Sequence, residues 1–156
     1  MRPKLRSESD PEQATYDSAL RLLARREHTR LELQHKLKLR DFDPDRIEVA
    51  LDRLTDEGLL NETRFAELYA TGRADKGYGP LRIAGELRER GVTDGAVSAI
   101  LEELADFWPS KLNQLHRKKF GDHRPGDLAE QARRTRFLRH RGFTLDQIRQ
   151  LFKAER

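Results

Sequence analysis

Apolar residues recur along this chain at spacings of three and four in short bursts, and polar punctuation separates one burst from the next. That is the signature of amphipathic helices rather than strands. Ala19, Leu20, Leu22 and Leu23 give the inner face of a first helix running to about Glu27. Thr29 followed by Glu32 has the form of a capping box, in which hydroxyl and carboxylate each satisfy a free backbone N–H, so a second helix starts there with Leu33 and Leu37 inward and Arg40 at its end. Asp43-Pro44 reads as a cap followed by proline in the first helical position; Ile47, Ala50, Leu51 and Leu54 follow, and Gly58 marks the stop. Asn61 caps a helix carrying Phe65, Ala66, Leu68 and Tyr69. Lys76-Gly77-Tyr78-Gly79-Pro80 forms a loop that ends in a proline-started helix with Ile83, Leu87 and Arg90, and Gly91 closes it. Thr93 opens a helix with Val97, Ile100, Leu101 and Leu104 inward.

The pattern repeats. At an offset of 50, Leu33 matches Ile83, Leu37 matches Leu87, Arg40 matches Arg90, Phe42 matches Val92, Ile47 matches Val97 and Leu51 matches Leu101, without gaps. At a further offset of 51, Leu138 matches Leu87, Arg141-Gly142-Phe143 matches Arg90-Gly91-Val92, Thr144 matches Thr93, and Ile148, Leu151 and Phe152 match Val97, Ile100 and Leu101. The third copy opens with a helix near Lys111 to Phe120 and is loosened by Gly121, Pro125 and Gly126. Residues 1–13 are expected to be a flexible arm, followed by three-helix repeats at 14–60, 61–108 and 109–156. Small repeats bury little surface alone, so the expected architecture is all-α, with three tandem three-helix repeats stacked into an elongated, curved, solenoid-like rod. One position misfits: Arg134 falls where Leu33 and Ile83 are core residues, so either this helix is rotated or its apolar face relies on Leu128, Phe137 and Leu138.

Composition supports helix over sheet. The 156 residues include 23 Leu but only 3 Val and 4 Ile, and charged residues make up 37%. The 36% hydrophobic content allows only a lean core. With no cysteine there is no disulfide, Fe–S or thiolate zinc site. No apolar run is long enough to span a bilayer, and the opening Met1-Arg2-Pro3-Lys4-Leu5-Arg6-Ser7 lacks a signal-peptide core, so a cytoplasmic, membrane-free protein is expected. The net charge of +4 is unevenly spread. Residues 1–108 carry 18 basic and 22 acidic side chains, whereas residues 109–156 carry 13 basic and 5 acidic ones. A basic pole of this kind suits a negatively charged partner, and it equally suits a solvated helix face.

No catalytic constellation can be assembled, and no cofactor is expected. Gly77-Tyr78-Gly79-Pro80 lacks the preceding strand and the length of a phosphate-wrapping loop and reads as a helix-connecting turn. The five histidines, His28, His35, His116, His123 and His140, never pair at metal-binding spacing, which suggests solvated or capping roles. Paired acids such as Asp56-Glu57 and Glu102-Glu103 lie among basic residues on exposed faces. Basic clusters say more. Arg25-Arg26 closes the first helix and Arg117-Lys118-Lys119 the seventh, placements that the helix dipole favours on structural grounds alone. The eighth helix exceeds that need: Arg133, Arg136 and His140 share a face flanked by Arg139 and Arg141, spaced to track phosphates or acidic side chains. Arg40, Arg90 and Arg141 recur just before a helix stop, as C-terminal caps or as a repeated contact with a repeating partner.

Four segments in order, Arg25-Arg26-Glu27-His28-Thr29-Arg30-Leu31-Glu32-Leu33, Gly77-Tyr78-Gly79-Pro80-Leu81-Arg82-Ile83, Glu86-Leu87-Arg88-Glu89-Arg90-Gly91-Val92 and Arg136-Phe137-Leu138-Arg139-His140-Arg141-Gly142-Phe143, resemble the successive signatures of the RecX family, regulators of the RecA recombinase. The resemblance runs from about Tyr16 to Phe152. It implies three tandem three-helix repeats and a non-enzymatic regulator. Such a regulator binds in the groove of the RecA–DNA filament, inhibits its ATPase, strand exchange and growth, and so modulates recombination, DNA repair and the SOS response; the chain itself is expected to be a monomer. DNA, single- or double-stranded, is a further partner to consider. The residues singled out for contact are Arg25, Arg26, Arg40, Arg90, Lys118, Lys119, Arg133, Arg136, Arg139 and Arg141. The sequence departs from the family where Asp41 replaces a frequent glycine, which leaves the first repeat without its usual terminator, and where Arg134 replaces an apolar residue. Two other classes stay open: a helix-turn-helix-like DNA-binding module that needs no recombinase, and a scaffold for an unrelated protein.

Overall fold

A computed structural model describes residues 10–154, which form nine α-helices and, among the described residues, no strand. They are α1 (Pro11–Arg25), α2 (Arg30–Leu39), α3 (Pro44–Asp56), α4 (Glu62–Asp75), α5 (Pro80–Glu89), α6 (Asp94–Glu103), α7 (Trp108–Phe120), α8 (Leu128–His140) and α9 (Leu145–Ala154). Residues 1–9 of the expected arm lie outside the described residues. Pro11–Gln13, assigned to that arm on sequence grounds, instead form the first turn of α1, because Asp10 accepts the backbone N–H groups of Glu12 and Gln13. The helix ends at Arg25, two residues short of the expected Glu27.

The chain folds as two compact units, one ending at Phe65 and including Arg90–Val92, the other comprising Ala66–Glu89 and the chain from Thr93 onward. In the first unit α1 packs on α3, with α2 against both. The core is built from Leu22, Leu33, Leu37, Ile47, Leu51 and Leu54, each no more than 6% exposed. A fully buried leucine contributes roughly 2 kcal/mol, so six such positions anchor the three helices despite the charged composition. The capping box is present: Thr29 Oγ1 accepts from Glu32 N at 3.1 Å and Glu32 Oε1 accepts from Thr29 N at 3.0 Å. Asp43 caps α3 ahead of Pro44. In the second unit α5 packs on α6, and α7, α8 and α9 pack on one another.

The repeated positions carry the same structural duty. Leu37, Leu87 and Leu138 are fully buried, as are Ile47, Val97 and Ile148. Before each third helix the chain turns through a left-handed residue, Asp41 (φ 64°), Gly91 (φ 89°) and Gly142 (φ 104°). Asp41 therefore corrects the expectation of a missing terminator. Its N–H donates to Lys38 O and that of Phe42 to Leu37 O, the paired bonds of a Schellman stop made without glycine. Aspartate tolerates this conformation better than most residues, at a cost of about 1 kcal/mol.

Arg134 supplies the second correction. The helix α8 is not rotated, and its apolar face does not rely on Leu128, which is 82% exposed; Arg134 itself occupies the core position at 3% exposure beside the buried Leu138. Its guanidinium donates to Glu130 Oε1 at 2.7 Å, His123 O at 2.7 Å and His116 Nε2 at 3.3 Å, and it lies over the Phe120 ring. A buried cation held by three acceptors and an aromatic face is tolerated where a bare one is not.

Two histidines expected to be solvated or capping are core residues. His28 and His116 are each 1% exposed. The His28 Nδ1–H faces Arg26 O at 3.0 Å, which leaves Nε2 to accept from the Lys36 ammonium at 2.8 Å. Burial, seconded by the neighbouring cations, holds the His28 pKa below the ordinary imidazole value. His116 packs between Phe120 and Phe152.

Candidate partner-binding surface

The ten basic residues singled out from sequence separate into distinct settings. In the first unit Arg25, Arg26 and Arg40 are exposed. Arg26 is spent on structure, forking onto both Glu32 oxygens at 3.3 and 3.1 Å and donating to Glu27 O. Arg40 donates to Ser18 Oγ at 3.1 Å, across to α1. Arg90 is half-buried, and its carbonyl accepts the Thr29 hydroxyl. The recurrent arginine thus ends α2 and α8 as the cap residue, but the Arg40 side chain crosses to α1 and that of Arg141 crosses to Lys76 O at 3.4 Å.

In the second unit Arg133, Arg136 and Arg139 stand exposed on α8. Arg133 approaches Glu130 at 3.5 Å, and no carboxylate among the described residues pairs with Arg136 or Arg139. Lys118, Lys119 and Arg141 come together elsewhere, in a cleft of about 450 Å³ formed by the end of α4, one face of α7 and the end of α8. Lys76, Lys111 and Gln114 join them, with Leu115 and Phe137 as apolar lining. Lys119 lies 5.2 Å and Arg141 5.4 Å from the Phe137 ring centre. Asp75, the one carboxylate lining the cleft, is taken by Lys111 at 2.8 Å. Lys76 and Lys111 escaped the sequence reading because neither belongs to a run of basic residues; Lys111 lies two turns before Lys118 on α7, and its ion pair with Asp75 joins the end of α4 to the cluster.

The Arg141 end of this cleft joins a network of stacked and paired side chains. The ring of Tyr78 carries the guanidinium of Arg73 at 3.8 Å, with those of Arg82 and Arg141 at 4.6 and 4.9 Å. Arg73 in turn forks onto both oxygens of Glu86 at 2.9 Å, to which Tyr69 also donates. Burial works against ionisation of Glu86, but Arg73 outweighs it and holds the carboxyl below its usual range. Gly77-Tyr78-Gly79-Pro80 is a turn, and it is also a docking edge: Gly79 N donates to Arg141 O at 2.8 Å and Leu81 N to Gly142 O at 2.9 Å. A Cβ on Gly79 would lie 2.5 Å from Gly142 C, and one on Gly142 would lie 2.5 Å from Arg82 Cβ, so both positions require glycine.

Among the described residues no group of His, Asp and Glu is placed to hold a metal ion, and no helix is long and apolar enough to cross a membrane. Models of the first, second and third three-helix domains of RecX match residues 16–54, 61–101 and 110–152 in turn. The chain belongs to the RecX family. Its RecX relatives include the regulatory protein RecX of Halorhodospira halophila, 47% identical across 88% of this chain and 85% of that protein. That of Pseudomonas fluorescens is 48% identical over 88% of each chain. The crystal structure of RecX from Lactobacillus salivarius superposes with a TM-score of 0.82 at 23% identity, covering 94% of this chain and 97% of that one, which shows the shared fold. The three matched RecX domains end at Leu54, Leu101 and Phe152, each within the third helix of its copy.

Proposed function

We propose that this RecX-family protein binds the RecA recombinase assembled on DNA and restrains its ATPase, strand exchange and filament growth, thereby modulating recombination and the SOS response. The observation that carries this reading is the ordered run of three RecX domains over most of the chain. The protein acts in the cytoplasm as a single chain and performs no reaction itself. Three copies of one unit in series can engage successive subunits of a filament that itself repeats. Bridging neighbours then opposes the subunit movement that couples ATP hydrolysis to strand exchange.

The test is the DNA-dependent ATPase of the cognate recombinase, which should fall at stoichiometric or lower ratios of this protein; unchanged hydrolysis overturns the reading. Charge reversal of Arg133, Arg136 and Arg139 should weaken inhibition more than reversal of the exposed Arg46. Arg53 is a poorer control, because it stacks on Tyr16 at 3.8 Å and pairs with Glu57.

A further inference from the structure

In the first unit the amine of Lys36 meets an imidazole rather than a carboxylate. Its Nζ lies 2.8 Å from His28 Nε2, and the other ring nitrogen of that buried histidine is fixed by Arg26 O at 3.0 Å. An amine beside a base that a third group orients is the arrangement that activates a nucleophile. Lys36 is only half-buried, so a small reagent has access to it. The charges around it are mostly positive: Arg25 and Arg26 at the end of α1 and Arg40 at the end of α2 act on the amine. Glu32 is the opposing carboxylate, and Arg26 already forks onto both of its oxygens. Burial first, and then Arg26, Arg40 and Arg25 against the pull of Glu32, hold the Lys36 ammonium below its ordinary value. More of this lysine is therefore neutral amine, the form that attacks a carbonyl carbon. The same three arginines draw in a reagent that carries negative charge.

We propose that Lys36 is an acylation site for acyl phosphates, with His28 as the base. Nζ forms a bond to the acyl carbon, the bond from that carbon to the phosphate oxygen breaks, and phosphate leaves with the electron pair. The proton released by nitrogen passes to His28 Nε2 and then to the departing phosphate. The product amide is neutral and keeps one N–H to donate to His28 Nε2. The patch that carries Arg25, Arg26 and Arg40 thereby loses one positive charge while the buried histidine keeps its partner. The reaction needs no recombinase, so it stands apart from the RecA reading.

The experiment treats the full chain with acetyl phosphate and, in parallel, with the uncharged N-hydroxysuccinimide ester of acetic acid. Remaining amines are capped after denaturation with deuterated acetic anhydride, and the ratio of light to heavy acetyl groups in mass spectra gives the rate at each lysine. With acetyl phosphate near neutral pH, Lys36 should react roughly tenfold faster than Lys38, which is exposed two residues further along α2. With the uncharged ester the excess should be smaller, and the rate at Lys36 should level off below the ordinary lysine pKa of about 10.4. Arg25→Gln/Arg26→Gln should cut the acetyl phosphate rate at Lys36 roughly threefold or more, with little change at the exposed Lys153. His28→Gln should slow Lys36 towards both reagents; if thermal melts show that it unfolds, the arginine pair carries the test. In unfolding urea Lys36 and Lys38 should react alike. Four results overturn the proposal: Lys36 is no faster than Lys38 with acetyl phosphate, its excess survives in urea, the arginine pair leaves its rate unchanged, or the excess appears with the uncharged ester alone.

Discussion

Leu33 in the first repeat and Arg134 in the third occupy the same place in the middle helix, and both are buried, at 0% and 3% exposure. Leu33 holds its place by apolar packing among Leu37, Ile47 and Leu51. Arg134 holds the equivalent place through Glu130, His123 O, His116 and the Phe120 ring, and so fastens the α7–α8 loop to the helix it precedes. Glu130 continues the fastening by accepting from Gly126 N at 3.0 Å. At this one position, therefore, the first repeat relies on non-directional burial and the third on directed bonds that specify where a loop must lie.

The largest effect expected from breaking this contrast is on the apolar side. Leu33→Ala should lower stability by about 3–4 kcal/mol, the cost of a cavity in a tightly packed site, read by urea denaturation. Arg134→Ala should cost somewhat less, about 2–3 kcal/mol, because Glu130 can turn to water while the His123 carbonyl loses a partner. Arg134→Leu, which restores what the first repeat carries, should recover at least half of that loss. If both substitutions are equally damaging, the bonds to Glu130 and His123 are the whole of the contribution and packing is none of it.

Acid should expose a further difference. The His28 pKa is lowered in the folded protein, so below the ordinary imidazole value near 6.5 the unfolded chain takes up a proton that the folded chain resists. Stability attributable to His28 is thus present at neutral pH and lost as pH falls below that value, at up to about 1.4 kcal/mol per pH unit. His28→Gln should lower overall stability yet flatten the dependence between pH 7 and 5 in chemical denaturation; an unchanged slope would mean that His28 is not its source. The smallest effect concerns the stops. Asp41→Gly should raise stability by about 0.5–1 kcal/mol by relieving the left-handed aspartate, whereas Gly142→Ala, with its Cβ against Arg82, should destabilise. Thermal melts that move the same way for both would remove the distinction between the two turns.

Much of the fold was legible because its determinants are local. The Thr29–Glu32 box, the Asp43-Pro44 start and the buried triplet Leu37, Leu87 and Leu138 all follow from spacing and capping chemistry within a few residues. Arg134, His28 and His116 were misread for one reason: hydropathy treats a polar side chain as exposed unless its partners are known, and those partners arrive from other elements. Asp41 was misread because the turn geometry is imposed by the hydrogen bonds of the helix it ends, which override the preference for glycine. The candidate surface was half legible. Lys118, Lys119 and Arg141 stand out as clusters, but their convergence with Lys76 depends on segments far apart in sequence meeting at one cleft.

The paired backbone bonds between Gly79 and Arg141 and between Leu81 and Gly142 bear on how the second unit is assembled. They join segments about sixty positions apart in a chain whose other turns and caps close over a handful of residues. Such a closure costs loop entropy before any bond compensates it, and so it belongs late in folding, after the helices on both sides exist. The same bonds, absent from the early barrier, act mainly to slow opening. The glycine pair thus works as a latch on lifetime, setting how long these two segments of the second unit stay joined more than how fast they come together.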